Sequence, residues 1–403
     1  MPEPLSPHDL PSKGLLSLDA LIAIDHLLTD EEKMVVATVR RFVKERYLPR
    51  AAELFAKEEF ANDLIPEMGA MGLLGASLTG YGCAGMSPAM YGLCLAELEY
   101  GDSGLRSFAS VQGSLAMFPI WKFGSEAQKQ RFLPGMAKGE QIGCFGLTEP
   151  DAGSDPGAMT TRAKKDGKDW VLNGTKMWIT SSPVAHLAVV WAKTGDGDAK
   201  SIRGFIVERG MKGFETPTIH GKMSLRASPT GEIVLSDVRV PEENMLPEVE
   251  GLRGPLSCLT QARFGIAFGA LGAARACFDS VLAYSRERTV FGQPIATKQL
   301  IQQKIAWMAE EIAKGQIMAL HYARIKEKGD LLPAQVSLCK KNNVGVSLEI
   351  ARVARSILGA NGILLEYPVI RHMLNLESVF TYEGTDEIHT LVLGQALTGF
   401  SAF

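Results

Sequence analysis

The order of patterns along the chain predicts an α+β fold that is mostly α: an N-terminal helical domain, a middle β-barrel-like domain and a C-terminal four-helix bundle. Three observations carry this. Apolar residues recur at three and four from about Leu27 to Lys138, the period changes to strand-like runs between about Gly143 and Pro241, and helical spacing returns from about Pro255. At 403 residues the chain exceeds the size at which one core keeps growing, roughly 250 to 300 residues. Domains are expected at 1–142, 143–254 and 255–403.

The first helix is announced by T-D-E-E at Thr29, whose hydroxyl and following acids suit a helix N-terminus. Gly72, Gly75, Gly80 and Gly82 then separate short helices. In the middle segment, W-V-L-N-G-T-K-M-W-I-T places Asn173-Gly174 between two β-rich runs, which predicts a hairpin. L-A-V-V-W-A-K, I-R-G-F-I-V-E-R and G-E-I-V-L-S-D-V-R-V-P add three more strands, and together they imply a small barrel or a pair of sheets. The last third is alanine-rich, with small residues in Q-A-R-F-G-I-A-F-G-A-L-G-A-A-R that permit close helix approach, and V-S-L-E-I-A-R-V-A-R-S-I-L-G-A-N-G closes on a glycine stop.

A formal net charge of −3, with both signs spread along the chain, gives no reason to expect a nucleic acid or an anionic membrane as partner. The six cysteines form no C-x-x-C pair, which disfavours zinc and redox motifs and leaves buried thiols in a reducing compartment as the expectation. The N-terminus lacks the pattern of a secretory signal or transit peptide, no apolar run approaches a bilayer span, and S-A-F is not a peroxisomal address. The cytoplasm is the simplest location.

Among motifs, G-Y-G-C-A-G (Gly80 to Gly85) fits a dinucleotide template, but no strand precedes it and Pro88 follows, so it reads as a loop between helices. The seven histidines have no metal-ligand spacing, and no G-x-S-x-G elbow is present. C-F-G-L-T-E-P-D-A-G-S-D (Cys144 to Asp155) lies at the border of helical and β character, where ligand clefts concentrate, although Glu149-Pro150-Asp151 alone is also a plain turn. In T-Y-E-G-T-D-E-I-H (Thr381 to His389), Glu383 is either a carboxylate pressed against apolar walls, with a raised pKa, or an exposed turn glutamate.

Five motifs, taken in order, are similar to the acyl-CoA dehydrogenase flavoprotein family. They are Gly146-Leu147-Thr148-Glu149-Pro150 with Gly153-Ser154-Asp155, Lys176-Met177-Trp178-Ile179-Thr180, Arg288 with Phe291-Gly292, Leu358-Gly359-Ala360-Asn361-Gly362, and Tyr382-Glu383-Gly384-Thr385. The resemblance runs from about Leu27 to Phe403. D-S-G-L-R-S, V-Q-G-S-L, K-M-S-L-R-A-S and T-Y-E-G-T resemble the glutaryl-CoA dehydrogenase branch, whereas G-Y-G-C-A-G-M-S is similar to short-chain acyl-CoA oxidases of plants.

The resemblance implies FAD as cofactor, an acyl-CoA substrate, electron-transfer flavoprotein as redox partner and a homo-oligomer, usually a tetramer. It implies Glu383 as the base that removes the substrate α-proton, with its own backbone N–H among the donors that polarise the thioester carbonyl. Phe145, Leu147, Thr148, Trp178, Ile179, Thr180 and Thr385 match flavin-lining positions. Ser154 matches a contact to flavin phosphate or pantetheine. Arg288, Phe291, Gln299, Gly359, Asn361 and Gly362 match positions that reach FAD across a subunit contact. Arg263 matches an arginine near CoA, with a helix-surface ion pair as the alternative, and Gly384 leaves room that a side chain would deny to substrate or flavin. Arg106 and Ser107, with Glu99 and Tyr382, match the group that holds a distal carboxylate, which implies oxidative decarboxylation of glutaryl-CoA to crotonyl-CoA. The alternatives are that Arg106 pairs only with Asp102 or Glu99, that the substrate is a short uncharged acyl-CoA, and that the chain is a non-catalytic flavin or CoA scaffold.

Overall fold

The computed structural model describes residues 16–402 other than Asp196. The N-terminal stretch read above for a targeting signal, including His8, lies outside the described residues. The first long helix, α1 (Asp30–Phe42), opens on a full capping box: the Glu32 N–H donates to Thr29 Oγ1 at 3.2 Å and the Thr29 N–H donates to Glu32 Oε2 at 2.9 Å. After short helices, Gly80, Gly82 and Gly85 carry the chain through a loop at positive φ into α2 (Pro88–Gly101), so the G-Y-G-C-A-G stretch is a connector. Helix α3 (Ser103–Ser110) follows at once, capped by Asp102, and α4 (Glu126–Lys138) ends this unit.

Seven strands then form one mixed sheet: β1 (Gly143–Gly146), β2 (Arg162–Asp166), β3 (Asp169–Thr180), β4 (Leu187–Thr194), β5 (Ile202–Glu208), β6 (Phe214–Glu215) and β7 (Thr230–Pro241). The order is β1-β4-β2-β3-β7-β6, with β5 on the other edge of β4. One side of β4 is shared lengthwise, since β1 pairs with its first half and β2 with its end, both parallel. Central β4 is accordingly buried from Leu187 to Ala192, an uninterrupted apolar run as expected for a strand covered on both faces.

The hairpin expected at Asn173-Gly174 is corrected. β3 runs straight through that pair, and the β2–β3 turn lies at Gly167-Lys168, where Gly167 supplies φ 62°. Asn173 is instead used across the sheet: its amide Nδ2 donates to Asp237 Oδ1 and its Oδ1 accepts from the Asp237 N–H, both at 2.9 Å. Gly174 marks a slip of register against β7, and a Cβ there would stand 2.7 Å from Thr161 Cβ. The glycine answers a close approach of backbone, which is the other use of an isolated strand glycine.

The C-terminal helices are α5 (Arg253–Glu287), α6 (Gln299–Glu327), α7 (Pro333–Ile357), α8 (Pro368–Thr381) and α9 (Asp386–Thr398). Helices α5 to α8 form the bundle, with α5 packed against α6, α7 and α8 and also against α2. The small residues of α5 do serve close approach: a Cβ on Gly272 would fall 2.9 Å from the Tyr100 backbone nitrogen, and one on Gly269 would press on the Arg106 side chain at 3.0 Å. Although no span was expected, α5 is long and apolar enough by composition to cross a membrane; 72% of its most apolar stretch is buried inside this fold. Helix α5 thus serves as the central strut joining both helical units.

Candidate active site

A cleft of about 2050 Å³ opens where the sheet meets both helical units. Of the residues expected at a site, Ser107, Phe145, Leu147, Thr148, Ser154, Trp178, Ile179, Thr180, Arg263, Tyr382, Glu383, Gly384 and Thr385 all line it. Arg288, Phe291, Gln299, Gly359, Asn361 and Gly362 do not; they lie at the α5–α6 and α7–α8 connections. There Phe291, at φ 51° in the tip of a small hairpin, is 98% exposed. Asn361 Nδ2 donates to Tyr284 Oη at 3.3 Å.

Glu383 follows the C-terminus of α8 and sits at φ 51°, a conformation that costs a non-glycine residue roughly 1–3 kcal/mol. Three consecutive carbonyls are held by two cations, buried Lys340 and half-buried Arg263. Lys340 Nζ donates to Tyr382 O at 3.1 Å and to Gly384 O at 2.7 Å, and Arg263 Nε donates to Glu383 O at 2.7 Å. Glu383 lines the cleft, and its Oε2 is closed off from solvent without a hydrogen-bond partner among the described residues. Burial lifts its pKa to about 7 against the pull of Arg106, Arg263 and Lys340. Of the two sequence readings, the exposed turn glutamate is therefore set aside.

The structure gives Gly384 a reason in addition to the one expected. It adopts φ 93°, and a Cβ would stand 2.9 Å from His389 Nε2 and 3.2 Å from Arg263 Nη2, so the crowding is with the protein itself. Arg263 makes no ion pair among the described residues, which removes the surface-pair alternative. Thr385 caps α9, its Oγ1 accepting from the Ile388 N–H at 3.3 Å. Asp386 pairs with Lys341, while Glu387 is exposed.

Arg106 is fully buried and does not line the cleft. Its Nε donates to Glu99 Oε2 at 2.5 Å, and one Nη donates to the phenol of Tyr382, which does line the cleft. The other expected partner, Asp102, pairs instead with Arg371 at 2.5 Å and accepts from Asn375 Nδ2 at 3.0 Å. Arg106 is thus one side chain removed from the cavity, reached through Tyr382 and beside Ser107.

Three further residues were not singled out from the sequence. Lys176 is fully buried on β3, donating to Leu147 O at 3.1 Å and to Glu149 Oε1 at 2.8 Å. Glu149 in turn accepts from the Thr160 N–H at 2.6 Å and the Thr161 N–H at 2.9 Å. Burial lowers Lys176 to about 8, and Lys176 with the threonine donors holds Glu149 down at about 2 despite its own burial. This pair ties the Leu147-Thr148 segment to the strand that carries Trp178, whose φ of 62° leaves the ring 58% exposed. Lys340 is the second, lowered to about 7 by burial, and His389 the third, buried with neither ring nitrogen hydrogen-bonded among the described residues. The signal for both lysines was a charge in core register: Lys340 falls four after Val336 and four before Val344, and Lys176 four after Leu172.

Comparison with known proteins agrees with this geometry. The acyl-CoA dehydrogenase N-terminal, middle and C-terminal domain models match residues 29–140, 144–238 and 250–398. The short-chain specific acyl-CoA dehydrogenase of rat (Rattus norvegicus) mitochondria is 35% identical over 91% of this chain and 90% of its own length. A crystal structure of glutaryl-CoA dehydrogenase from Mycobacterium smegmatis is 55% identical with TM-score 0.94, covering 96% of this chain and 100% of that one. Another from the same organism, in complex with FADH2, is 52% identical with TM-score 0.94 and the same coverage. A chain from a structure described as the electron transferring flavoprotein of Acidaminococcus fermentans is 34% identical with TM-score 0.89, covering 92% of this chain and 98% of that one. The chain belongs to the acyl-CoA dehydrogenase family.

Proposed function

We propose that this protein is an FAD-dependent dehydrogenase that oxidises and decarboxylates glutaryl-CoA to crotonyl-CoA, passing electrons to an electron-transfer flavoprotein. The observation that carries the reading is Glu383: a carboxylate at a cleft wall with an unpartnered oxygen and a pKa of about 7, the value a general base needs at neutral pH. The residues present fit FAD. The cleft is about twice the roughly 300–1,000 Å³ of an ordinary ligand pocket, which suits two large ligands side by side. Trp178 presents an open ring, with Phe145, Leu147, Thr148, Ile179 and Thr180 beside it. When bound, the flavin supplies a two-electron acceptor for the hydride leaving the β-carbon.

In this reading Glu383 takes the α-proton, Gly384 and Arg263 shape the floor next to it, and Ser154 and Thr385 contribute hydroxyls to the cofactor and pantetheine. Loss of CO2 leaves a dienolate, which the protonated Glu383 quenches. Ser107, Tyr382 and the Arg106–Glu99 pair recognise the distal carboxylate, with Arg106 acting behind the phenol. Arg288, Phe291, Gln299, Gly359, Asn361 and Gly362, which lie away from the cleft, reach the cofactor of a second subunit in a tetramer.

A second reading, a short uncharged acyl-CoA, is favoured by one observation: Arg106 is already paired with Glu99 and does not itself line the cavity. Anaerobic mixing of the purified flavoprotein with glutaryl-CoA and butyryl-CoA separates the two. Glutaryl-CoA should give crotonyl-CoA and CO2 in equal amounts. Turnover of butyryl-CoA alone, or release of peroxide in air at the full turnover rate, would overturn the proposal.

A further inference from the structure

Lys340 is a buried cation whose contacts are not needed to neutralise any one partner. It belongs to no ion pair among the described residues, is 1% exposed, and spends its donors on the carbonyls that flank Glu383 on either side. It stands behind the Tyr382–Gly384 segment: those three residues line the cleft and Lys340 does not. The peptide joining Tyr382 to Glu383 is trans and planar, so its C=O and N–H point in opposite directions. With the carbonyl fixed on Lys340, the Glu383 N–H must be turned away from Lys340, towards the cavity. That N–H donates to no acceptor among the described residues, whereas the preceding one, of Tyr382, is spent on Ser378 O at 2.9 Å.

A free amide donor on the same residue as the proton acceptor is placed to serve a thioester carbonyl, which becomes negative as its α-proton leaves. We propose that Lys340 is a positioning residue for this chemistry: by gripping the Tyr382 carbonyl it aims and strengthens the Glu383 backbone N–H as the donor to the thioester oxygen. The aim comes from peptide planarity. The strengthening comes from polarisation, since a donor on a carbonyl oxygen makes the N–H of the same amide a better donor. Arg263 on the Glu383 carbonyl does the same for the next peptide, whose N–H belongs to Gly384. The positive φ of Glu383 and Gly384 is what lets three successive carbonyls turn to the helix side together.

This inference rests on the proposed acyl-CoA chemistry, and the test keeps the two apart. The oxidised holoenzyme is titrated with two non-reacting ligands: acetoacetyl-CoA, which carries the thioester carbonyl and binds as an enolate, and S-butyl-CoA, a thioether without that carbonyl. Loss of one oxyanion donor costs about 10²–10³ in rate elsewhere, and a donor left in place but poorly aimed should cost about tenfold. Lys340→Met should weaken acetoacetyl-CoA about tenfold or more and leave S-butyl-CoA within about twofold; Lys340→Gln, which keeps an N–H donor, should fall between. In turnover, kcat should fall with KM little changed. Equal weakening of both ligands in the Gln variant would reduce Lys340 to a support of the fold and sink the proposal. So would an unchanged acetoacetyl-CoA affinity in either variant. Failure of wild-type protein to prefer acetoacetyl-CoA over S-butyl-CoA would instead sink the acyl-CoA reading itself.

Discussion

Replacing Glu383 by glutamine should make the folded protein more stable at alkaline pH while removing its activity. The folded state holds the Glu383 proton up to about pH 7, whereas the side chain releases it near the ordinary 4.5 when unfolded. Between those values the folded state binds more protons than the unfolded one, so stability falls as pH rises through the window. Each pKa unit corresponds to about 1.36 kcal/mol, giving a cost of about 3 kcal/mol above pH 7. Because the residue is only partly buried, water in the cleft reduces this to roughly 1–3 kcal/mol. Glutamine keeps the shape and carries no charge, so Glu383→Gln should recover that energy at pH 8 and less than about 1 kcal/mol at pH 5. Calorimetry of the holoprotein reads the difference, a rise of at least about 2–4 °C for each kcal/mol in a cooperative unit the size of the C-terminal domain. A glutamine variant equally stabilised at both pH values, or destabilised at pH 8, would refute the argument that burial strains this carboxylate.

Arg106→Ala should cost about 3–5 kcal/mol of stability, because it strands Glu99 in the core, and the double change Arg106→Met with Glu99→Gln should restore most of it in a denaturant titration. On Arg106→Ala protein that still folds, kcat/KM for glutaryl-CoA should fall far more than for butyryl-CoA; equal losses would remove Arg106 from substrate choice. Lys176→Met frees the Leu147 carbonyl and leaves Glu149 without its cation, so the variant should lose flavin several-fold faster on dilution, read from fluorescence of released FAD, with retention at the wild-type rate counting against the clamp. Gly174→Ala forces a Cβ into Thr161 and should destabilise by roughly 1–3 kcal/mol, whereas a hairpin-turn glycine, at the place the sequence suggested, would tolerate the change to asparagine.

Much of the scaffold was legible because local rules and tertiary packing agreed. Thr29 with Glu32 reads as a capping box and forms one, and the glycines of α5 read as contact positions and are so used. Asn173-Gly174 misled for a definite reason. A two-residue turn and a register slip both call for a backbone that glycine adopts freely, and only the pairing of β3 with β7 decides between them. The site was legible in another way. Local sequence favoured an exposed turn for Glu383, and its standing as a site residue came from five collinear motifs. What lay beyond reach was the convergence of groups behind it. Arg263 was named and Lys340 stood in core register, but that these two and His389 meet at the Glu383 segment from α5, α7 and α9 spans distances along the chain at which no periodicity speaks. Pairing of Arg106 with Asp102 or Glu99 was one of two alternatives read from the sequence; the choice of Glu99, and a position behind Tyr382 rather than in the open cavity, came from the structure.

The proposed reaction turns on one carboxylate taking one proton, and anaerobic stopped-flow reduction of the bound flavin by glutaryl-CoA follows that step most directly. The wild-type rate should rise with pH and level off above about 7, since Glu383 must be ionised to act, and Glu383→Gln should lower it about 10²–10⁴-fold at every pH. Flavin reduction in the glutamine variant at the wild-type rate, with the same pH dependence, would contradict it.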